Sequence, residues 1–492
     1  MNPLRRLASQ TAIYGLSSII GRFLNYLLVP LFTYYFSPAE YGVISEFYAY
    51  AGFLAVLLVF GLETGYFRFR DRAATADTAY TTALRFLLLA NLGFFVLITL
   101  FDQAIADALQ HGEHPEYVVW MAAILALDSM AAVAFARLRA EEKPWRFAGI
   151  KLIEILVTVA MNLFFIVLCR EAYHDDPGST LGRLWDPEIG VGYIFIANLI
   201  GSGVKWLLLA PQLRGFTAGY DPVLFTRMMR YSLPMVVIGL AGVVNEMLDR
   251  AMMKYLLPYD AETNLAQLGI YSACYKLSIL MMLFIQSFRY AGEPFFFAHA
   301  HDRDSPTLYA RVMTAFVIFC MLIFLLVTLY LDIFQYFIGA PFRAGLGVVP
   351  ILLLANLFLG IYVNLSLWYK LTDRTLLGAG VALGGAAITV VLNLWWVPVL
   401  GYMGAAWATL ACYASMATAS YLLGRRYYPV PYELARILGY IGLGLVIYLA
   451  HDRITAAGMM PTLFSATLFL ALYLVIAYVL DGRRLLRPAA PG

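Results

Sequence analysis

The sequence predicts an all-α polytopic membrane protein, and three observations carry that prediction. First, 62% of the 492 residues are hydrophobic and only 13% are charged, against about 45–50% and about 25% in an ordinary soluble domain. Second, apolar runs of about 20 residues recur along the whole chain, long enough to cross a hydrocarbon core of about 30 Å as helices rising 1.5 Å per residue. Third, the basic residues gather in alternate loops between those runs. Strands of a transmembrane barrel alternate in polarity, and runs such as Phe316 to Leu331 do not. This composition excludes a soluble enzyme. Four cysteines are too few for a disulfide scaffold.

Fourteen segments read as spans: 12–36, 43–67, 79–101, 117–136, 148–169, 189–210, 231–253, 269–293, 310–334, 346–368, 376–398, 403–424, 434–451 and 461–480. One set of loops and both chain ends hold Arg5 and Arg6, Arg68 to Arg72, Arg137 to Lys151, Arg214 to Arg230, Arg303 and Arg311, Lys370 and Arg374, Arg425 to Arg436, and Arg483 to Arg487. The opposite set holds few, among them Arg170, Arg183, Arg343 and Arg453. Positive charge marks the cytoplasmic side, so both termini are expected in the cytoplasm. Arg5 and Arg6 precede an apolar run too long for a signal-peptide core, with no small-residue cleavage site after it. A net charge of +3 carries no nucleic-acid signature. Cys169, Cys274, Cys320 and Cys412 read as packed free thiols.

An internal repeat follows. Residues 139–163 align with 370–394, with Arg139-x-x-Glu142-Lys143 matching Lys370-x-x-Asp373-Arg374. Gly42, Ser45, Tyr48, Gly65 and Phe69 likewise align with Gly269, Ser272, Tyr275, Gly292 and Phe296. Two six-helix bundles in parallel orientation, 1–211 and 225–424, are therefore expected, with two additional helices over 434–481. Paired bundles of this kind rock about a site between them. Every loop is too short to house a catalytic domain, which favours transport over a membrane-embedded glycan polymerase or ligase.

Ionisable residues within spans mark the site, because a charge at the bilayer centre costs at least about 2.5–3.5 kcal/mol and needs a partner or a wet cavity. Arg22, Asp128 and Lys276 are the deepest, and Arg22 and Asp128 are also a candidate ion pair. Glu246, Asp249 and Arg250 share one helix face, either as a local pair or as cavity groups. Arg85, Lys205 and Arg289 read as snorkelling to the headgroups. Glu46 reads as solvated near the outer surface. Arg22, Lys276 and Arg250 suit an anionic substrate, since desolvated cations bind phosphate oxygens strongly. Asp128, Glu246 and Asp249 are candidates for coupling to H⁺ or Na⁺. Most of the aromatics read as interfacial belts. His111, His114, His299 and His301 lack zinc-site spacing, so no metal and no cofactor is expected. Gly378, Gly380, Gly384 and Gly385 read as close helix packing.

Four stretches resemble the multidrug/oligosaccharidyl-lipid/polysaccharide exporter superfamily, and within it the polysaccharide-transporter (Wzx-like) flippases. They are Pro30-Leu31-Phe32 with Ser37-Pro38-Ala39-Glu40-Tyr41-Gly42; Asp249-Arg250; Gly269-Ile270-Tyr271-Ser272-Ala273 with Glu293-Pro294; and Asn393, Pro398, Gly401-Tyr402-Met403-Gly404-Ala405-Ala406 and Thr409. The resemblance covers about residues 8–424. It implies a flippase that carries a polyprenyl-diphosphate-linked oligosaccharide, such as an O-antigen unit, to the outer leaflet of a bacterial inner membrane, with an ion gradient driving the return step. The lipid II flippases of the same superfamily also have fourteen helices; there arginines of the first helix serve the diphosphate and the last two helices help hold the lipid tail. Arg22 and residues 434–481 would take those parts here, although the first helix lacks a denser basic set. A drug or cation antiporter of this superfamily is the remaining alternative.

Overall fold

The computed structural model describes residues 19–70, 76–215, 219–298, 305–454 and 459–482, and every regular element among them is helical. Eleven helices are long and apolar enough to cross a membrane, or twelve if Ala261–Leu277 and Ile279–Tyr290, bent by 50°, form one span. Two expected segments lie outside that count. Residues 12–18 of the first fall outside the described residues, and the remainder is helical at 19–26 and Leu28–Tyr35. The other, Tyr402–Tyr427, buries a face of Gly404, Ala405, Ala408, Thr409, Ser420 and Gly424, and small polar residues lower its hydropathy. Arg5, Arg6, His299, His301 and the basic residues after 482 also fall outside the described residues.

The chain divides into two compact units, Met1–Lys254 with Tyr259–Ala266, and Tyr255–Pro258 with Gln267–Gly492. The first contains α1 (Leu28–Tyr35), α2 (Pro38–Val59), α3 (Leu62–Phe69), α4 (Ala76–Leu100), α5 (Pro115–Ala140), α6 (Pro144–Leu163), α7 (Gly192–Leu209) and nearly all of α8 (Pro222–Leu256). The repeat places α8 with the second half of the sequence; its packing places it with the first.

The motif after the first helix is a helix start. Ser37 Oγ accepts from the Glu40 amide at 3.3 Å, Glu40 Oε2 accepts from the Ser37 amide at 2.7 Å, and Pro38 occupies the first turn. This reciprocal capping satisfies two amides that would otherwise be orphaned at the end of α2. Gly42, one turn on, lies so close to α9 (Ala261–Leu277) that an added Cβ would sit 2.0 Å from the Leu265 carbonyl oxygen. Backbone cannot give way as a side chain does. Gly42→Ala is therefore expected to cost about 1–3 kcal/mol by overpacking, read as a lowered Tm of the detergent-solubilised protein; an unchanged Tm would refute the close approach.

Helix α5 runs through the middle of the first unit, with most of its length buried. On one side Val133 and Ala136 join Leu62, Tyr66, Tyr80, Leu84, Leu87 and Met228 from α3, α4 and α8. On another, Ala131, Phe135 and Leu138 meet Ile150 and Leu209 from α6 and α7. Trp206 Nε1 donates to the Leu127 carbonyl at 2.8 Å, tying α7 to α5.

The second unit holds most of α9, then α10 (Ile279–Ala298), α11 (Ser305–Leu329), α12 (Val348–Leu365), α13 (Thr375–Leu400), α14 (Tyr402–Tyr427), α15 (Leu434–Ile454) and α16 (Met459–Ala477). The Gly401–Gly404 motif makes the turn from α13 to α14. Gly401 adopts φ 64 and ψ −149, a region essentially confined to glycine, and a Cβ at Gly404 would strike the Trp396 carbonyl. The expected small-residue packing of α13 holds at Gly378, which faces the Tyr369 ring, and at Gly385, whose carbonyl accepts from Cys412 Sγ at 3.3 Å. It does not hold at Gly380 and Gly384, which are exposed and face open space along a groove between α13 and α14. Helices α15 and α16 pack on α11, where Tyr473 Oη donates to the Ile318 carbonyl at 2.9 Å and Gly444 abuts Met321. Asp481 clips their far ends, accepting from Tyr440 Oη and Arg436. All four cysteines are buried free thiols.

Candidate functional site

The first unit carries two clusters of buried charge. One lies where α5, α6 and α7 meet. Lys205 Nζ is 2.5 Å from Asp128 Oδ1 and 2.7 Å from Glu154 Oε1, and Ser202 Oγ donates to the same Asp128 oxygen at 2.6 Å. Lys151 reaches the other Glu154 oxygen at 3.2 Å. The Lys205 side chain is only 1% exposed, Glu154 is 14% exposed and Asp128 is 45% exposed. The lysine is therefore sealed between helices, while one of its carboxylates opens on accessible space.

Local sequence builds this geometry. Asn198, Ser202 and Lys205 are spaced by four and three residues, so they share one face of α7. Asn198 Nδ2 donates to Tyr48 Oη on α2 at 2.7 Å, which extends the polar stripe. Gly201 lets α7 approach α6 closely, since a Cβ there would lie 2.2 Å from Thr158 Oγ1. That approach brings Glu154 within reach of Lys205. The expectation that Lys205 snorkels is corrected: two carboxylates hold it inside, which offsets desolvation better than an extended path to the headgroups.

Arg22 does not pair with Asp128, which is instead bonded to Lys205 and Ser202. Arg22 is exposed, on the helix whose Gly21 abuts Ile155, next to Glu154 in sequence. It forms no ion pair among the described residues. Its neighbourhood thus presents an open guanidinium close to the helix that bears the buried carboxylate–lysine cluster.

The second cluster joins α2, α8 and the segment between α4 and α5. Glu46 is fully buried, and Lys254 and His111 nearly so. Lys254 Nζ donates to both Glu46 oxygens at 3.0 and 3.1 Å and to the Leu109 carbonyl. Tyr50 Oη donates to Glu46 at 2.8 Å, and His111 Nε2 lies 2.8 Å from Glu46 Oε2. An Nε2–H directed at the carboxylate cannot also accept from Lys254 Nζ, 3.2 Å away. The carboxylate therefore organises all three donors. Glu46 is not solvated, contrary to expectation; the chain after α4 folds over it and brings Leu109 and His111 inward.

On α8, Glu246 is exposed, Asp249 is buried, and Arg250 is intermediate. Asp249 Oδ1 accepts from the Arg250 amide at 2.8 Å, and an Arg250 guanidinium nitrogen lies 3.3 Å from the Glu246 carbonyl. Lys276 belongs to the second unit, half-buried at the end of α9, two residues before the bend at Ser278. His114 bonds Glu116, and no group of three metal-ligating side chains occurs among the described residues. The residues missed from sequence are Glu154, Lys205, Glu46, His111 and Lys254 as partners. In the sequence, the spacing of Asn198, Ser202 and Lys205 is the signal for the first cluster.

The polysaccharide biosynthesis protein family model matches residues 7–298. Among solved structures, the lipid II flippase MurJ in its inward closed conformation is similar with a TM-score of 0.70 at 15% identity, covering 96% of this chain and 99% of that one. An inward-facing multidrug resistance MATE family transporter of the MOP superfamily has a TM-score of 0.61 at 15% identity, covering 85% of this chain and 94% of its own. A MATE protein in its straight conformation has a TM-score of 0.58 at 15% identity, covering 87% and 96%. No curated protein matches the sequence.

Proposed function

Since this chain belongs to the polysaccharide biosynthesis protein family, we propose that it moves a polyprenyl-diphosphate-linked oligosaccharide from the cytoplasmic to the outer leaflet of the inner membrane. Its fold is that of the multidrug/oligosaccharidyl-lipid/polysaccharide exporter superfamily. The observation that carries the reading is the exposed Arg22 on the first described helix, beside α6, whose Lys151 and Glu154 are already paired. An exposed guanidinium with no ion pair among the described residues can turn its donors to a diphosphate, which it binds through parallel hydrogen bonds. Lys276 and Arg250 are proposed to assist with the diphosphate or with acidic sugars.

The Asp128–Lys205–Glu154 set supplies the coupling element. A proton or Na⁺ taken up at the exposed Asp128 weakens its hold on Lys205, which then relies on Glu154 alone. Binding a cation at one side of a lysine held from both sides biases the packing of α5 against α7. Glu246 and Asp249 are proposed as further coupling groups on α8. The bundle halves predicted over 1–211 and 225–424 would supply the rocking motion, and residues 434–481 a place for the lipid tail.

The test is surface-glycan export at matched protein level. Arg22→Ala is expected to lower export about tenfold and Arg22→Lys less, because lysine keeps the charge but loses the planar fork. Unchanged export with Ala would remove Arg22 and with it this reading. Cation antiport is the second reading, favoured by the accessible carboxylate Asp128. It predicts proton-driven cation exclusion from vesicles that survives Arg22→Ala and is lost with Asp128→Asn.

A further inference from the structure

The first unit contains an apolar cavity of about 490 Å³ that none of the charged groups enters. Its walls include Phe47, Tyr50 and Leu54 of α2, Phe94 of α4, Met121 of α5 and Leu248 of α8. Tyr50 turns its hydroxyl away to Glu46, and the Phe47 ring closes the same end against His111, with ring centroids 5.4 Å apart. The floor is therefore the buried Glu46–His111–Lys254 cluster, roofed by carbon. Phe94 and Ile98 are only partly covered, and on the same helix Leu92, Val96, Leu97 and Leu100 are exposed apolar residues. The cavity thus adjoins the surface that α4 turns toward bilayer hydrocarbon.

A cavity with such walls offers water no partners and stays dry, yet takes up apolar guests. Its size falls within the range of sites that enclose a small ligand. With walls of carbon and an opening beside the exposed apolar side of α4, it suits a single hydrocarbon chain reaching in from the bilayer. We propose that the cavity is an intramembrane lipid-chain site, occupied by one acyl chain of a bilayer phospholipid entering beside α4. Because Leu248 and Ala251 of α8 face Phe47 and Leu54 of α2 across it, the chain fills the space between the two helices that Lys254 and Glu46 join at one end. The inference does not depend on which substrate the protein moves.

The test uses the full-length protein in nanodiscs doped with a phospholipid whose sixteen-carbon chain ends in a diazirine. After irradiation, adducts mapped by peptide mass spectrometry are expected to concentrate on residues 94–105 and 118–125. Excess unlabelled phospholipid should suppress them. Ala122→Phe and Ala51→Phe, which place a ring in the cavity, are each expected to lower those adducts at least fivefold, whereas Leu383→Phe on the exposed surface of the second unit leaves them unchanged. Adducts spread evenly over the exposed apolar residues of α4, or unaffected by both ring substitutions in protein that still elutes as a single species, would overturn the proposal. So would suppression by a polyprenyl phosphate but not by phospholipid, since the guest would then be the carrier tail. The wild-type map and its competition decide the question even if both substituted proteins aggregate.

Discussion

Lys205→Met is expected to destabilise the first unit by about 3–5 kcal/mol, the usual consequence of leaving a buried charge without its partner. Two carboxylates, Asp128 and Glu154, now converge on the 1% exposed lysine. Without it they repel, with only Lys151 at 3.2 Å on the far side of Glu154. The fall should appear as a lowered Tm in detergent. Neutralising the whole set with Asp128→Asn, Glu154→Gln and Lys205→Met should recover most of the stability, because replacing all members of a buried ion set is often close to neutral. Transport should stay lost in the triple variant. That separation distinguishes a coupling element from a structural clamp: a triple variant that is stable and fully active would end the coupling role assigned to Asp128 and Glu154.

The second large effect is expected at Glu46. Glu46→Gln removes the anion that Lys254, His111 and Tyr50 share, and takes from the buried Lys254 ammonium the carboxylate that holds it to α2. The expected cost is about 1–3 kcal/mol, that of a buried donor losing its acceptor, concentrated on the contact between α2 and the end of α8. Amide hydrogen exchange over residues 245–256 should rise at least tenfold, while exchange in the α5 core stays slow. The pair Glu46→Leu with Lys254→Leu should return much of the protection, since the Phe47 and Leu248 surroundings accept apolar side chains. Unchanged exchange over 245–256 in Glu46→Gln would show that apolar packing, as between Gly52 and Met247 or Gly239 and Val56, holds α8 without the charges.

The motifs that gave the resemblance turn out to be largely structural devices. Ser37 to Gly42 caps α2 and admits the Leu265 backbone, and Gly401 to Gly404 turns α13 into α14. They were legible because capping and close approach are local demands on residue type. For Lys205 and Glu46, depth along a helix is a poor guide, because their surroundings decide. Lys205 lies near a span end by residue count, yet Gly201 draws α6 against it. Glu46 lies near the opposite end, yet the segment carrying Leu109 and His111 folds over it.

Composition, run length and charge alternation determined that this is a helical membrane protein, because each is a sum or a period along the chain and needs no knowledge of partners. Only the tertiary structure decided which ionisable groups neutralise one another. Asp128 and Lys205 are 77 residues apart, and Glu46 and Lys254 are 208 apart. In a low-dielectric interior a charge is tolerated only where an opposite one arrives within about 4 Å. Helix packing sets that distance, and no one-dimensional pattern contains it.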